Sequence, residues 1–146
     1  MITVVAAVIE RSDRRLLIGQ RRRNDTSPLK WEFPGGKIRE DESPEAALTR
    51  ELQEELGVTL VKSIEIGRVR HRYAEAPDEL EIRFFAAAIV ESELAPSTFE
   101  RVAWVLPKEL SDYDFLAANR ELIAQLATGR IKPAEILERA REAGAS

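Results

Sequence analysis

Residues 35–58 read GGKIREDESPEAALTRELQEELGV, and the organisation of the chain can be worked out from this stretch outward. Ser43 followed by Pro44 is a helix start, because a serine hydroxyl caps the first free amides and proline suits the first helical position. Leu48, Leu52 and Leu56 recur every four residues and form one apolar stripe, and Gly57 ends the helix. With Glu51 set at zero on a wheel of about 100° per residue, Glu54 falls at about 300°, Glu55 at about 40°, and the three leucines between about 60° and 140°. Three carboxylates therefore share a narrow face beside the stripe that packs into the core.

Like charges three and four residues apart weaken an isolated helix, and the repulsion grows where water is scarce. A Glu-rich helix is ordinarily a solvated face, and Arg50 can pair with Glu54 one turn on. Two features point instead to a site. The carboxylates adjoin the buried stripe, and the helix follows Pro34-Gly35-Gly36, a turn whose backbone can approach a ligand closely. The chain has no Cys and one His. Clustered carboxylates in that setting favour a hard cation, Mg²⁺ or Mn²⁺, over Zn²⁺.

On either side of this segment the chain alternates between strand and helix patterns. Residues 2–9 are almost wholly apolar and predict a buried strand, and 16–19 predict a second. A basic run, Arg21 to Arg23, leads into a polar loop. Trp31 to Phe33 predicts a short strand stopped by Pro34, Gly35 and Gly36. Residues 60–73 and 79–90 predict longer strands, and 102–106 a short one containing Trp104. Residues 116–127 and 133–142 predict two further helices. Strands around one central helix imply an α/β (α+β) sandwich. The 146 residues suffice for one core, no apolar run approaches the length of a membrane span, and no leader is expected at the start. The net charge of −4 favours a small anionic substrate over long nucleic acid. The absence of Cys is consistent with a cytoplasmic protein.

Gly36, Glu42, Arg50-Glu51-Leu52, Glu54-Glu55 and Gly57-Val58 together resemble the complete box of the Nudix hydrolases, with nine constrained positions filled over 23 residues. The resemblance implies an αβα sandwich around a mixed β-sheet, with the box forming a loop-helix-loop. It implies Mg²⁺- or Mn²⁺-dependent hydrolysis of a nucleoside diphosphate linked to a further group. Glu51, Glu54 and Glu55 are then metal-binding or base residues, joined by the carbonyl of Gly35. Glu51 is the first choice for the base and Glu54 the second. Arg50 would orient Glu51, while Glu42 braces the loop and Gly36 and Gly57 shape the turns.

The segments outside the box are similar to the mutator-type branch, which hydrolyses oxidised purine nucleoside triphosphates such as 8-oxo-dGTP to the monophosphate and pyrophosphate. Arg21 and Lys37 are implied as phosphate or nucleotide contacts, Glu32, Phe33 and Pro34 as lining of the base pocket, and Asn119 as the reader of the purine edge. An amide suits that task because donor and acceptor lie side by side. Thr98 stands where the branch usually has a metal-binding Glu, and Glu100 is the nearest carboxylate. CTP, 5-methyl-dCTP and 2-hydroxy-dATP remain alternative substrates, and a non-catalytic nucleotide-binding module is a further reading. Trp31, at the edge of the glycine loop, is the better placed of the two tryptophans to stack on a base. Arg68, Arg70 and Arg72 form a strip that either steers triphosphates or is a solvated face. The resemblance divides the chain into a hydrolase domain, residues 1–130, and a helical extension, 131–146, that docks on its own domain or on a partner. The expected partner is a small nucleotide, with no stable nucleic acid or membrane contact, and the expected assembly is a monomer or homodimer.

Overall fold

Ser43 and Gly57 bracket the acidic helix as the sequence predicts. The computed structural model describes residues 1–74 and 77–144. In it, helix α1 spans Pro44–Leu56. Ser43 Oγ accepts a hydrogen bond from Ala46 N at 3.1 Å. Gly57, in the left-handed region at φ 67°, donates its N–H to Gln53 O. Leu48, Leu52 and Leu56 are fully buried. Burying one such side chain contributes about 1.5–3 kcal/mol. Repulsion between helical like charges costs only about 0.2–0.5 kcal/mol per pair, so the stripe decides where the helix lies and the carboxylates follow.

Among the described residues the strands form two sheets. Strands β1 (Ile2–Ile9), β4 (Gly35–Lys37), β5 (Leu60–His71) and β6 (Leu80–Ile89) make a mixed sheet in the order β4-β1-β6-β5. β1 runs parallel to β6, while the β1–β4 and β5–β6 pairs are antiparallel. Strands β2 (Leu16–Gln20), β3 (Trp31–Glu32) and β7 (Arg101–Val105) make an antiparallel sheet in the order β3-β2-β7. Alternate residues of β1 serve two cores. Val5, Ala7 and Ile9 pack with the α1 leucines, whereas Ala6 and Val8 pack with Phe84, Ile18 and the leucines of helix α2 (Arg120–Ala127). Coverage on both faces explains why β1 is apolar without alternation.

Three local expectations need revision. Gly35–Lys37 is a strand, where the sequence predicts only a stop. Its pairing with β1 imposes extended backbone on residues of weak strand propensity. Residues 116–127 do not form one helix: a 3₁₀ turn at Ala117–Asn119 precedes α2. A further 3₁₀ turn, Pro107–Asp112, was not anticipated.

Helix α3 (Pro133–Gly144) lies against β1, β5 and β6. Lys62 Nζ donates to Leu137 O at 3.0 Å, and Ala134 N donates to Glu10 Oε1 at 3.1 Å. The helix thus packs on the sheet of its own chain. Among the described residues no helix is long and apolar enough to cross a membrane.

Candidate active site

β4 is where the acidic helix meets the sheet, and its two glycines allow the approach. A Cβ at Gly36 would lie 2.4 Å from Glu51 Cδ, and one at Gly35 would lie 1.9 Å from Val5 O. At Gly35 the obstacle is main chain and only bare backbone fits, whereas at Gly36 an added methyl would displace the Glu51 carboxylate. Glu55 accepts a hydrogen bond from Gly35 N at 2.9 Å, and Thr98 Oγ1 donates to its other oxygen at 3.4 Å. Glu54 is about half exposed on the outer edge of the same face.

Arg50 ties this face to the preceding loop. Its Nε and Nη2 each donate to an oxygen of Glu42 at 2.8 Å, a forked pairing that only a guanidinium can make. Nη2 also reaches Lys37 O at 3.0 Å, and Nη1 reaches Glu51 Oε1 at 2.8 Å and Glu54 Oε2 at 3.5 Å. The hydrogen bonds from Arg50, aided by the Arg39 amide, hold the Glu42 carboxyl down to about 2. Glu42 in turn helps hold the proton on Arg50 more tightly than usual. Arg50 is thus a fixed positive hub that orients Glu51.

Glu55 behaves in the opposite way. Burial pushes its carboxyl up to about 8, with the nearby charges of Glu32 and Glu51 adding to the effect. A buried carboxyl beside further carboxylates at a peptide edge is a donor set suited to a hard divalent cation, which would reverse the repulsion. The groups that would hold it are Glu51, Glu54, Glu55 and the peptide of Gly35. Among the described residues no three acidic groups converge at coordination spacing. Glu51 and Glu54 are turned toward Arg50 instead.

The raised Glu55 gives a stability prediction for the metal-free protein. Between the ordinary carboxyl value of 4.5 and about 8, the folded chain keeps a proton that the unfolded chain has released. Stability should therefore fall as pH rises through that window, by up to about 1.4 kcal/mol per pH unit from this group. Urea unfolding in chelator from pH 5 to 8 measures the slope. Glu55→Gln should flatten it, and an unchanged slope in that variant would remove Glu55 as its source.

On the other side of β4 lies a cleft of about 550 Å³. Arg21, Glu32, Phe33, Lys37 and Asn119 all line it, so five of the six residues expected to contact substrate share one cavity. The sixth, Pro34, is buried and holds the sheet together, with its carbonyl accepting from Ala7 N at 2.8 Å. Asn119 is 5% exposed, and its side-chain amide makes no hydrogen bond among the described residues and does not cap α2. Arg21 is more heavily engaged than the sequence suggests. It donates to Glu32 at 3.0 Å, to Thr26 O at 2.7 Å and to Thr26 Oγ1 at 2.8 Å, and so pins the loop that walls the cleft. Burial raises the proton affinity of Glu32 despite this opposing partner.

Trp31 must be reassigned. It is buried in the core with Tyr113 edge-on at 5.0 Å, and it does not line the cleft. Trp104 lies half-buried beneath the Arg11 guanidinium. The cleft wall includes residues that sequence reasoning did not select, among them Tyr73, Leu80 and Ile82. The alternation of residues 69–73 and 80–84 was the available signal, since it places these side chains on one face. Arg68 and Arg70 pair with Glu65 and Glu81, and Arg72 donates to Pro77 O, so the basic strip is engaged locally. His71 packs on Tyr73. Glu100 faces Arg23 at 3.6 Å, whereas Thr98 is the residue that touches Glu55.

Comparison with known proteins places this geometry. The model of the NUDIX domain matches residues 2–126. The chain is 33% identical to the CTP pyrophosphohydrolase of Escherichia coli strain K12, across 92% of this chain and 98% of that one. It is 29% identical to the 8-oxo-dGTP diphosphatase of the same strain, across 86% and 95% of the two chains. Its fold superimposes on the crystal structure of the MutT protein from Methanosarcina mazei Go1 with a TM-score of 0.79 and 26% identity, covering 90% of this chain and 96% of the other. The box residues gathered by Arg50 at β4, the mixed sheet and these likenesses agree: the chain belongs to the Nudix family, in its mutator-type branch, and is a hydrolase of phosphoanhydride bonds.

Proposed function

We propose that the protein hydrolyses nucleoside triphosphates to the monophosphate and pyrophosphate, with 8-oxo-dGTP-like purines preferred and Mg²⁺ or Mn²⁺ required. The observation that carries this reading is the position of β4. One edge of Gly35–Lys37 adjoins the carboxylates of α1, and Lys37 lines the cleft that holds Asn119. A nucleotide can then lie with its base in the cleft and its phosphates over β4. Glu51, Glu54, Glu55 and the Gly35 carbonyl would hold the cation, which supplies charge relief on the phosphoryl oxygens. Glu51 accepts the proton of the attacking water, and Arg50 keeps its carboxylate in place. Lys37 meets the phosphates. Arg21 fixes Glu32 and the loop around the base, and the open amide of Asn119 reads the base edge. Free nucleotides of the cytoplasmic pool are the natural source of such substrates.

Cytidine nucleotides are the second reading, favoured by the likeness to the E. coli CTP pyrophosphohydrolase along nearly its whole length. Pyrophosphate release with 8-oxo-dGTP, dGTP, CTP, 5-methyl-dCTP and 2-hydroxy-dATP separates the two. The purine reading expects 8-oxo-dGTP to have the highest kcat/KM, and Asn119→Ala to lower that advantage about tenfold or more. Loss of one base-edge hydrogen-bonding group costs about 1–3 kcal/mol, which supports that size. A CTP preference in the wild type, or equal losses on purines and pyrimidines in the variant, would overturn the base assignment.

A further inference from the structure

A second cavity, of about 410 Å³, opens at the opposite end of α2 and shares no lining residue with the substrate cleft. Its walls are mostly apolar and come from three separate segments. Leu16 and Leu126 are fully or almost fully buried, and Leu106 and Ile131 are among the other apolar lining residues. Four ionisable side chains also line it: Arg14, Lys108, Lys132 and Glu10. Three cations against one carboxylate is an inverted balance in a chain of net charge −4.

The carboxylate is already committed. The Glu10 side chain is 6% exposed, accepts from Ala134 N at 3.1 Å and faces Arg14 at 3.7 Å. Lys108 and Lys132 have no carboxylate within ion-pair distance among the described residues, although acidic side chains outnumber basic ones in the sequence. Arg14 is held at φ 74°, a left-handed conformation that costs a non-glycine residue free energy, and its side chain is 64% exposed. Concave apolar walls with a few convergent charges are the usual make-up of a small-molecule site.

We propose that this cavity binds a small organic anion, a carboxylate, sulfonate or phosphate carried on an apolar body. The apolar part would sit against Leu16, Leu126 and Ile131, and the anionic group between Lys108 and Lys132. It is a binding site and not a second reaction centre, because its single carboxylate is engaged by Ala134 N and Arg14 and the Thr128 hydroxyl by Ala124 O and Gln125 O, which leaves no free base beside a nucleophile.

The aromatic sulfonate 8-anilinonaphthalene-1-sulfonate has this chemistry and becomes fluorescent in apolar surroundings. Titration of the full chain should show one saturable site per chain that persists at saturating dGMP with Mg²⁺. The double variant Lys108→Glu, Lys132→Glu should weaken binding at least tenfold, with the melting temperature and nucleotide turnover unchanged. Amide resonances of Gly129, Ile131 and Lys132 should shift on binding, while those of Gly35 and Gly36 stay in place. Absence of binding, displacement by dGMP, or unaltered binding by the double variant would each overturn the proposal. Should the double variant not fold, the resonance shifts in the wild type decide the location alone.

Discussion

Glu51→Gln is expected to lower kcat by about 10²–10⁴-fold, the range lost when a positioned general base is removed. The substitution keeps size and shape, so the side chain still fits over Gly36, where only bare backbone leaves room for it. It replaces the oxygen that can take a proton with an amide that cannot. Glu51 is partly exposed, with one strong tie to Arg50 at 2.8 Å. Weakening a single charge-assisted hydrogen bond costs about 1–3 kcal/mol at most, which leaves the two buried leucine cores intact. Pyrophosphate release and a thermal melt on the same sample separate the two effects. Turnover near the wild-type level would exclude Glu51 as the base, and a larger loss in Glu54→Gln would transfer the role to Glu54.

Gly36→Ala should reduce kcat by about a hundredfold with little change in stability. The added methyl would stand 2.4–2.6 Å from all three carboxyl atoms of Glu51. Those atoms are the far end of a flexible side chain, so they can move aside and the fold survives. A displacement of about 1 Å in a reacting group is enough to cost two orders of magnitude in rate. The same substitution at Gly35 has a different consequence, because there the methyl meets the backbone of Val5 at 1.9 Å and the sheet itself must yield. A Gly36→Ala enzyme with normal kcat would show that the close contact of Glu51 with β4 is unnecessary for turnover.

Regular repetition made much of this legible in the sequence. Leucines four residues apart, a Ser-Pro start and a Gly end define α1 to within a residue, since each acts locally. The apolar run of residues 2–9 gives β1 for the same reason. β4 was not legible because nothing in Gly35-Gly36-Lys37 prefers a strand. Its extended backbone comes from β1 and from the demand for close approach. Trp31 was misread because its neighbours in sequence form the glycine loop, whereas its neighbours in space are Tyr113 and Phe115, more than eighty residues away. The engagement of Arg21 with Glu32 and Thr26 was hidden likewise, since sequence shows a cation but not what it meets. Glu32, Phe33 and Asn119 entered through family resemblance alone, and composition or periodicity would not have selected them. Their common location in one cleft is what the fold adds.

The phosphorus NMR spectrum of a reaction containing 8-oxo-dGTP or CTP, recorded with Mg²⁺ and again after excess chelator, tests the central claim most directly. That claim is that the α1 carboxylates and the adjoining cleft form one metal-dependent site for nucleotide hydrolysis. The expected result is monophosphate and pyrophosphate in equal amounts with at least one of the two substrates, turnover that stops on chelation, and turnover slower by about a hundredfold or more in Glu51→Gln. Formation of nucleoside diphosphate with orthophosphate, or turnover indifferent to both the chelator and the substitution, would contradict it.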